Sequence, residues 1–336
     1  MPPLVSILIP AYNCQEWIRS TMESALAQSW PRKEIVIVDD GSRDQTLAVA
    51  RQYASESVCI ITQTNQGAAA ARNKAFSVCQ GDYIQWLDAD DLLAPDKISK
   101  QMEALEECQG KRTLLSSAWG HFIYRPEKAR FSPTSVWCDL GSTEWVLRHF
   151  EQNHWMQTGT WLISRELAQT IGPWDVRLSL DDDGEYFCRA VLASERVRFV
   201  PEAKVFYRRT ANSLSYVGGA NHKLDSQFLS IKLNIAHLRT MDDSQRARAA
   251  CLKYLNRFLV YFYPERPDIV KAAQQLATEL GSQLEIPRLS WKYVWVKNLF
   301  GWSTAKRTEL YYNQFKTSLA RFWDKSLYYL NTNSAE

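Results

Sequence analysis

Residues 81–96 read GDYIQWLDADDLLAPD, and the fold turns on that stretch. Tyr83 to Leu87 is apolar and aromatic, as a buried strand would be. Asp88, Asp90 and Asp91 follow, with Ala89 between the first two, and Pro95 stands where a helix can begin. Carboxylates crowded at the end of a hydrophobic strand repel one another, so a fold that keeps them supplies something positive. Carboxylate oxygens and a few waters suit a hard divalent cation, Mg²⁺ or Mn²⁺. A metal held by one or two protein carboxylates takes phosphate oxygens as further ligands. A second reading stays open here: Asp90 or Asp91 caps a helix, and the other carboxylates are solvated first-turn acids. A calcium loop of the EF-hand type does not fit, because its sixth position from Asp88 is Leu93 instead of glycine.

Upstream, three more β-rich runs lead to this stretch. Leu4 to Ile9 ends at Pro10, Glu34 to Val38 is closed by Asp39-Asp40-Gly41-Ser42, and Val58 to Thr62 follows. Between them Glu16 to Gln28 has helical periodicity, Asp44 to Tyr53 reads as a helix, and Gly67 to Val78 is a helix of small residues. Strand–helix alternation at this pitch predicts an α/β fold, a mostly parallel sheet flanked by helices. Ligands of such sheets sit beyond the carboxyl ends of the strands. Tyr12, Asp39, Asp40, Arg72, Asp88 and Asp90 all fall on that edge. No GxGxxG and no GxxxxGK[ST] accompanies the first strands, which argues against the dinucleotide and P-loop devices. Arg72 is either a cation able to fork onto phosphate or a base carbonyl, or a surface arginine on an alanine-rich helix.

Downstream, Lys97 to Cys108 is expected to be a helix, and Thr113–Ser117 and Gly120–Tyr124 two strands. Glu127 to Val136 reads as loop and Thr143 to Phe150 as helix. Gln157 to Ile163 is expected as a strand, followed by a helix capped by Ser164 that runs to Ile171. Ser179 to Leu192, SLDDDGEYFCRAVL, puts three aspartates ahead of an amphipathic helix. They are dipole-matched acids or, alternatively, they present a carboxylate to an acceptor hydroxyl as general base. Arg198–Val200 and Lys204–Tyr207 resemble edge strands. Arg208, Arg209, Ser213 and Ser215 then read as a loop over phosphate or as a solvated turn.

From Asn221 the composition turns helical: Asn221–Leu238, Ser244–Phe262 and a third helix opened by Pro267 and running to Leu280. Residues 291–329 hold twelve aromatics and seven Lys or Arg against Glu309 and Asp324. Such a segment suits a membrane interface, or it packs its aromatic side on the α/β part or on a second subunit.

Composition bounds the rest. A chain of 336 residues that is 46% hydrophobic builds a real core, and a net charge of +3 gives no polyelectrolyte case for nucleic acid. The seven cysteines are scattered, odd in number and never CxxC, which fits reduced thiols in a cytoplasm. There is no N-terminal basic-then-apolar signal and no run of about 20 apolar residues able to span a bilayer.

Taken in order, VSILIPAYN (5–13), EIVIVDDGSRDQT (34–46), NQGAAAARN (65–73), GDYIQWLDADDLLAPD (81–96), GTWLISRE (159–166) and DDDGEYFCRA (181–190) resemble family 2 glycosyltransferases of the GT-A fold, over residues 4–215. That resemblance implies a catalytic domain over 1–216 and a helical extension over 217–336. Pro10, Ala11, Tyr12, Asn13, Asp39, Asp40, Gly67, Arg72, Asp88 and Ala89 would hold the nucleotide, with Asp88 and Asp90 placing the metal. Asp183 would be the base, six residues before Arg189, with Asp182 in place of the usual Glu. Asp91, Gly159, Trp161 and Asp182 would border the sugars. The implied reaction is inverting transfer from a nucleotide-diphospho-sugar, UDP favoured, to a saccharide or lipid-linked acceptor in polysaccharide or cell-envelope synthesis. The cysteine pattern and the missing signal give a cytoplasmic location, and the composition of 291–329 adds a peripheral contact with the inner membrane face or a homodimer contact as the alternatives. A sugar nucleotidyltransferase is the alternative, but PAYNCQEW lacks its Gly-rich phosphate loop. A non-catalytic nucleotide-sugar-binding protein is the other.

Overall fold

The computed structural model describes residues 1–106, 112–210 and 220–333. The first half alternates β1 (Val5–Ala11), α1 (Ile18–Leu26), β2 (Lys33–Asp39), α2 (Thr46–Arg51), β3 (Val58–Thr62), α3 (Ala68–Val78) and β4 (Tyr83–Trp86). Next come β5 (Leu92–Leu93), α4 (Lys97–Glu106), β6 (Thr113–Phe122), β7 (Arg130–Phe131), β8 (Leu140–Gly141) and α5 (Ser142–Gln152). After them lie β9 (Leu162–Ser164), α6 (Arg165–Ile171), α7 (Asp182–Ala193) and β10 (Arg196–Arg208). The rest is helical: α8 (Asn221–Met241), α9 (Gln245–Phe262), α10 (Pro267–Glu279), α11 (Val294–Phe300) and α12 (Trp302–Asn333).

One sheet runs in the order β3-β2-β1-β4-β9-β6-β10-β5, with β7 beside β6 and β8 beside β10. β1, β2, β3 and β4 pair in parallel, and the register sets Ala11 opposite Asp39 and Leu8 opposite Trp86. The carboxyl ends of β1, β2 and β4 therefore open on one edge, as the alternation predicts. The sheet as a whole is mixed, because β9 enters antiparallel to both β4 and β6.

Alternation along each strand fills two cores. Ile7, Ile9, Ile35 and Ile37 face α1 and α4, while Leu8, Val36, Val38 and Trp86 face the other side. That second core continues into α5, α7, α8 and α9 through Phe150, Phe187, Phe228 and Tyr254. Phe150 stacks on Tyr254 with centroids 4.1 Å apart. Each such side chain stabilises the fold by about 1.5–3 kcal/mol through burial.

Three local expectations are corrected. Thr113–Ser117 and Gly120–Tyr124 are not two strands. Ala118 and Trp119 keep pairing, with Lys204 and Val205, so β6 is continuous. Likewise Arg198–Val200 and Lys204–Tyr207 form a single strand, β10, bulged between Val200 and Lys204 where Pro201 cannot donate. β10 is not an edge, since it has β6 on one side and β5 and β8 on the other. Gln157–Ile163 is not all strand. Thr158–Thr160 is a 3₁₀ turn, because the Gln157 side chain accepts from the Gly159 N–H at 2.5 Å and closes the backbone on itself. By contrast Ser164 caps α6, accepting from Leu167 at 3.2 Å, and Pro267 opens α10.

Candidate active site

The strand ends and the N-termini of α3 and α7 enclose a cleft of about 1060 Å³. Pro10, Ala11, Tyr12 and Asn13 line one wall, with Asp40 and Gly67 beside them. Arg72, Asp88, Ala89 and Asp90 form the middle, and Trp161, Asp182 and Asp183 lie across from the first wall. Aspartates distant along the chain thus meet in one cavity. Asp39, Asp91 and Gly159 do not line it.

The first wall is organised by Asp40. Its carboxylate accepts from Gln63 Nε2 (2.7 Å), Gln66 N (2.9 Å) and Gly67 N (2.8 Å), which folds residues 63–67 into the entry of α3. Gly67 takes φ +91°, a backbone conformation that a side chain would strain. Asn13 is locked to the next loop: its N–H donates to Ser42 Oγ, and its side chain accepts from Arg43 N. Tyr12 is left 45% exposed at the mouth. Asp39 lies buried behind, with Oδ2 accepting from Ser42 N and Oδ1 without a partner among the described residues.

Arg72 ties the centre together. It is buried, and its guanidinium donates to Asp88 Oδ1 at 2.8 Å and to Asp182 Oδ2 at 2.5 Å. Trp174 supports it from below, 4.4 Å from the guanidinium carbon, and Trp174 stacks on Tyr186 at 4.0 Å. Burial alone would weaken its charge, but Asp182 and Asp88 outweigh that and hold Arg72 protonated. The reading of Arg72 as a surface residue is therefore excluded.

The acidic turn divides its labour. Asp88 and Asp90 face the cleft, whereas Asp91 is fully buried beneath them. Asp91 accepts from the Arg208 N–H at 2.7 Å and from Gln157 Nε2. Its place among the sugar-bordering residues is thus corrected: a carboxylate with no exposed surface supports the turn from behind. Gly159 is also behind the wall, where a Cβ would lie 2.9 Å from Gln157 Oε1. The helix-cap reading of Asp90 and Asp91 fails too, as α4 starts only at Lys97.

Burial and Asp88 push the Asp90 carboxyl up to about 6, with Arg208 opposing. Burial and Asp90 push Asp91 up as well. Crowded carboxylates whose protons are held this tightly are where a cation gains most. No group of three or more His, Cys, Asp or Glu side chains suited to a metal occurs among the described residues. Asp88 and Asp90 offer two hard oxygen ligands at most, which fits Mg²⁺ or Mn²⁺ completed by phosphate and water.

At the far wall, Asp183 Oδ2 accepts from Thr158 Oγ1 at 3.2 Å, and Oδ1 from Gly184 N at 2.9 Å. Burial raises its carboxyl, Arg72 lowers it and Asp88 raises it again, leaving it above the ordinary carboxylate value. Beside it, Asp181 stands at the N-cap position of α7 in a left-handed conformation, and its carboxylate turns to α8, accepting from Ser230 (2.6 Å) and Gln227 (3.2 Å). Gln157 and Thr158 are the residues that sequence reasoning missed, while Arg208, read as loop over phosphate, instead backs the acidic turn through Asp91 and the Asp90 carbonyl. The one signal was glycine between two threonines in a presumed strand. Arg209 and Thr210 also line the cleft, and Ser213 and Ser215 lie outside the described residues.

Two solved structures share this architecture. TarS of S. aureus, in complex with UDP-GlcNAc, superposes with a TM-score of 0.67 at 18% identity, over 82% of this chain and 81% of that one. A mannosyltransferase of Pyrobaculum calidifontis, in complex with GDP-Man and Mn²⁺, gives 0.54 at 17% identity, over 97% and 88%. The fold is that of a GT-A glycosyltransferase. Residues 6–169, just under half of the chain, match Glycosyl transferase family 2. Among its relatives, an Escherichia coli UDP-Glc:alpha-D-GlcNAc-diphosphoundecaprenol beta-1,3-glucosyltransferase is 44% identical over 104 residues, 31% of this chain and 41% of that one. The chain spans less than two thirds of the first curated relatives it matches, 64% at most.

Proposed function

We propose that the protein transfers a sugar, with inversion, from a UDP-sugar to a hydroxyl of a saccharide or lipid-linked acceptor in cell-envelope glycan synthesis. The observation that carries this reading is the convergence of Asp88, Asp90, Arg72 and Asp183 on one cleft. A relative that uses UDP-Glc and a structural neighbour holding UDP-GlcNAc favour the uridine donor. The neighbour holding Mn²⁺ and the two-carboxylate donor set favour a divalent cation.

The nucleoside sits against Pro10 to Asn13 and Asp40, whose loop is already ordered by its own hydrogen bonds. Asp88 and Asp90 would hold a Mg²⁺ or Mn²⁺, which would supply positive charge beside the diphosphate. Arg72, fixed and dehydrated, adds a second positive field without reorganising. Asp183 takes the proton of the incoming hydroxyl. Its raised affinity for protons makes it a stronger base than a solvated aspartate. Attack opposite the leaving group inverts the anomeric carbon, and Trp161 floors the space where the sugars meet.

UDP-, GDP- and dTDP-sugars are titrated against thermal stability with and without Mn²⁺, followed by a transfer assay with the best donor. A UDP-sugar that raises the melting temperature only with the metal present supports the reading. Stabilisation by none of the three would remove it, and release of pyrophosphate from a nucleoside triphosphate and a sugar phosphate would point to a nucleotidyltransferase instead.

A further inference from the structure

Helix α12 is inside out. Its outward face carries Tyr311, Phe315, Phe322, Trp323 and Leu330, each more than 60% exposed, with Leu319 and Leu327 between them. The spacing 311, 315, 319, 322/323, 327, 330 is a helical stripe. Its inward face is mostly polar, with Tyr328 against the Tyr124 ring as the exception. Asp324 accepts from Tyr124 N (2.9 Å) and Arg125 Nε (2.9 Å), and Lys325 lies 3.8 Å from Glu16. Lys306 donates to the Tyr261 and Tyr263 carbonyls and to Glu265. An amphipathic helix on a water-soluble body normally does the reverse. α11 extends the exposed apolar surface with Trp295, Leu299 and Phe300.

We infer that this face rests on an anionic lipid surface. Charge decides the occupant. From Leu310 to Leu330 the only acid is Asp324, and it is turned inward onto Arg125. Lys292, Lys297, Arg307 and Lys316 stand exposed along the same segment, Lys316 over the Tyr312 ring at 4.8 Å. A second copy would press these cations against their own equivalents. Anionic headgroups would pair with them while Trp and Tyr rings settle at headgroup depth. No described helix is long and apolar enough to cross a membrane, so α12 lies along the surface. The inference goes beyond the sugar-transfer reading and stands without it. One consequence joins the two: Arg321, on the inner side of the same helix, lines the cleft. An acceptor held in the bilayer would meet the cleft mouth beside α12.

The test is co-sedimentation of the full chain with phosphatidylcholine vesicles containing phosphatidylglycerol, and with phosphatidylcholine alone. Binding to the anionic vesicles, weakened by salt and reduced about tenfold or more in a Phe315→Ser/Phe322→Ser/Trp323→Ser variant of unchanged melting temperature, is the expected result. Equal pelleting of the triple variant, or no pelleting of the parent, overturns it. A dimer by light scattering that the triple variant dissolves, without vesicle binding, also overturns it in favour of a second copy.

Discussion

Arg72 stands between Asp88 and Asp182, 2.8 Å from one carboxylate and 2.5 Å from the other. It joins a residue of the acidic turn after β4 to one at the start of α7, which are far apart in the chain. The two halves of the cleft are thus held at a fixed distance by one buried guanidinium. Removing it leaves two half-buried carboxylates uncompensated. Arg72→Ala should cost about 3–5 kcal/mol of stability, read by denaturant melts. Arg72→Lys keeps the charge but loses the fork, so stability recovers in part while transfer stays about 10²–10³-fold down. Full activity in the lysine variant would show that the fork has no role in the reaction.

Asp183 gives a sharper separation. Asp183→Asn keeps the shape and the Thr158 contact but cannot take a proton. Transfer should fall by about 10²–10⁴-fold with nucleotide-sugar affinity nearly unchanged, measured by turnover and by calorimetry. Since burial raises its carboxyl, the parent enzyme should lose activity on the acid side at a pH above the ordinary aspartate range. The sign follows from the base being active only when deprotonated. Normal turnover of the asparagine variant would take Asp183 out of the reaction.

Asp181 predicts a stability effect of opposite character. Its folded value is raised from 3.8 to about 7 by burial and by Asp183, against the hydrogen bonds from Ser230 and Gln227. A carboxyl so raised contributes most when protonated, fully below pH 3.8, and its contribution is lost as pH rises through 7. The whole shift corresponds to about 4 kcal/mol. Asp181→Asn removes the cost of ionising the buried group. Its stability relative to the parent should rise between pH 4 and 7 and level off above, followed by thermal melts across that range. A pH-independent difference between the two proteins would refute the assignment.

What could be read from sequence follows from periodicity. β1, β2 and β4 are buried on both faces, so they appear as continuous apolar runs, and their carboxyl ends locate Asp40, Asp88 and Asp90 without coordinates. Pro267 and Ser244 mark helix starts through local chemistry alone. Gln157 and Thr158 were hidden because a 3₁₀ turn of polar residues has no period. Asp91 looked like its neighbours because a tight turn, Asp91 N to Asp88 O at 3.1 Å, decides which carboxylate faces the cleft. The direction of α12 was equally hidden: composition shows an apolar stripe but not which side meets the body.

Gln157 carries the last prediction. Its amide oxygen is occupied by the Gly159 N–H, which fixes its nitrogen toward Asp91 and, at 3.4 Å, toward Asp88 Oδ2. Gly159 in turn offers its carbonyl to Gln85, which accepts from the buried Lys97. Gln157 therefore positions the acidic turn from behind, through Asp91 and through one oxygen of Asp88. Gln157→Leu strips Asp91 of a donor in a dry site, where an unsatisfied charge-bearing group costs about 1–3 kcal/mol or more. The turn should relax, and the Mn²⁺ concentration needed for half-maximal transfer should rise several-fold, while saturating metal restores most of the rate. Chelation with EDTA should silence both proteins reversibly. A variant whose metal requirement is unchanged but whose rate is low at every concentration would mean that Gln157 meets the substrate itself.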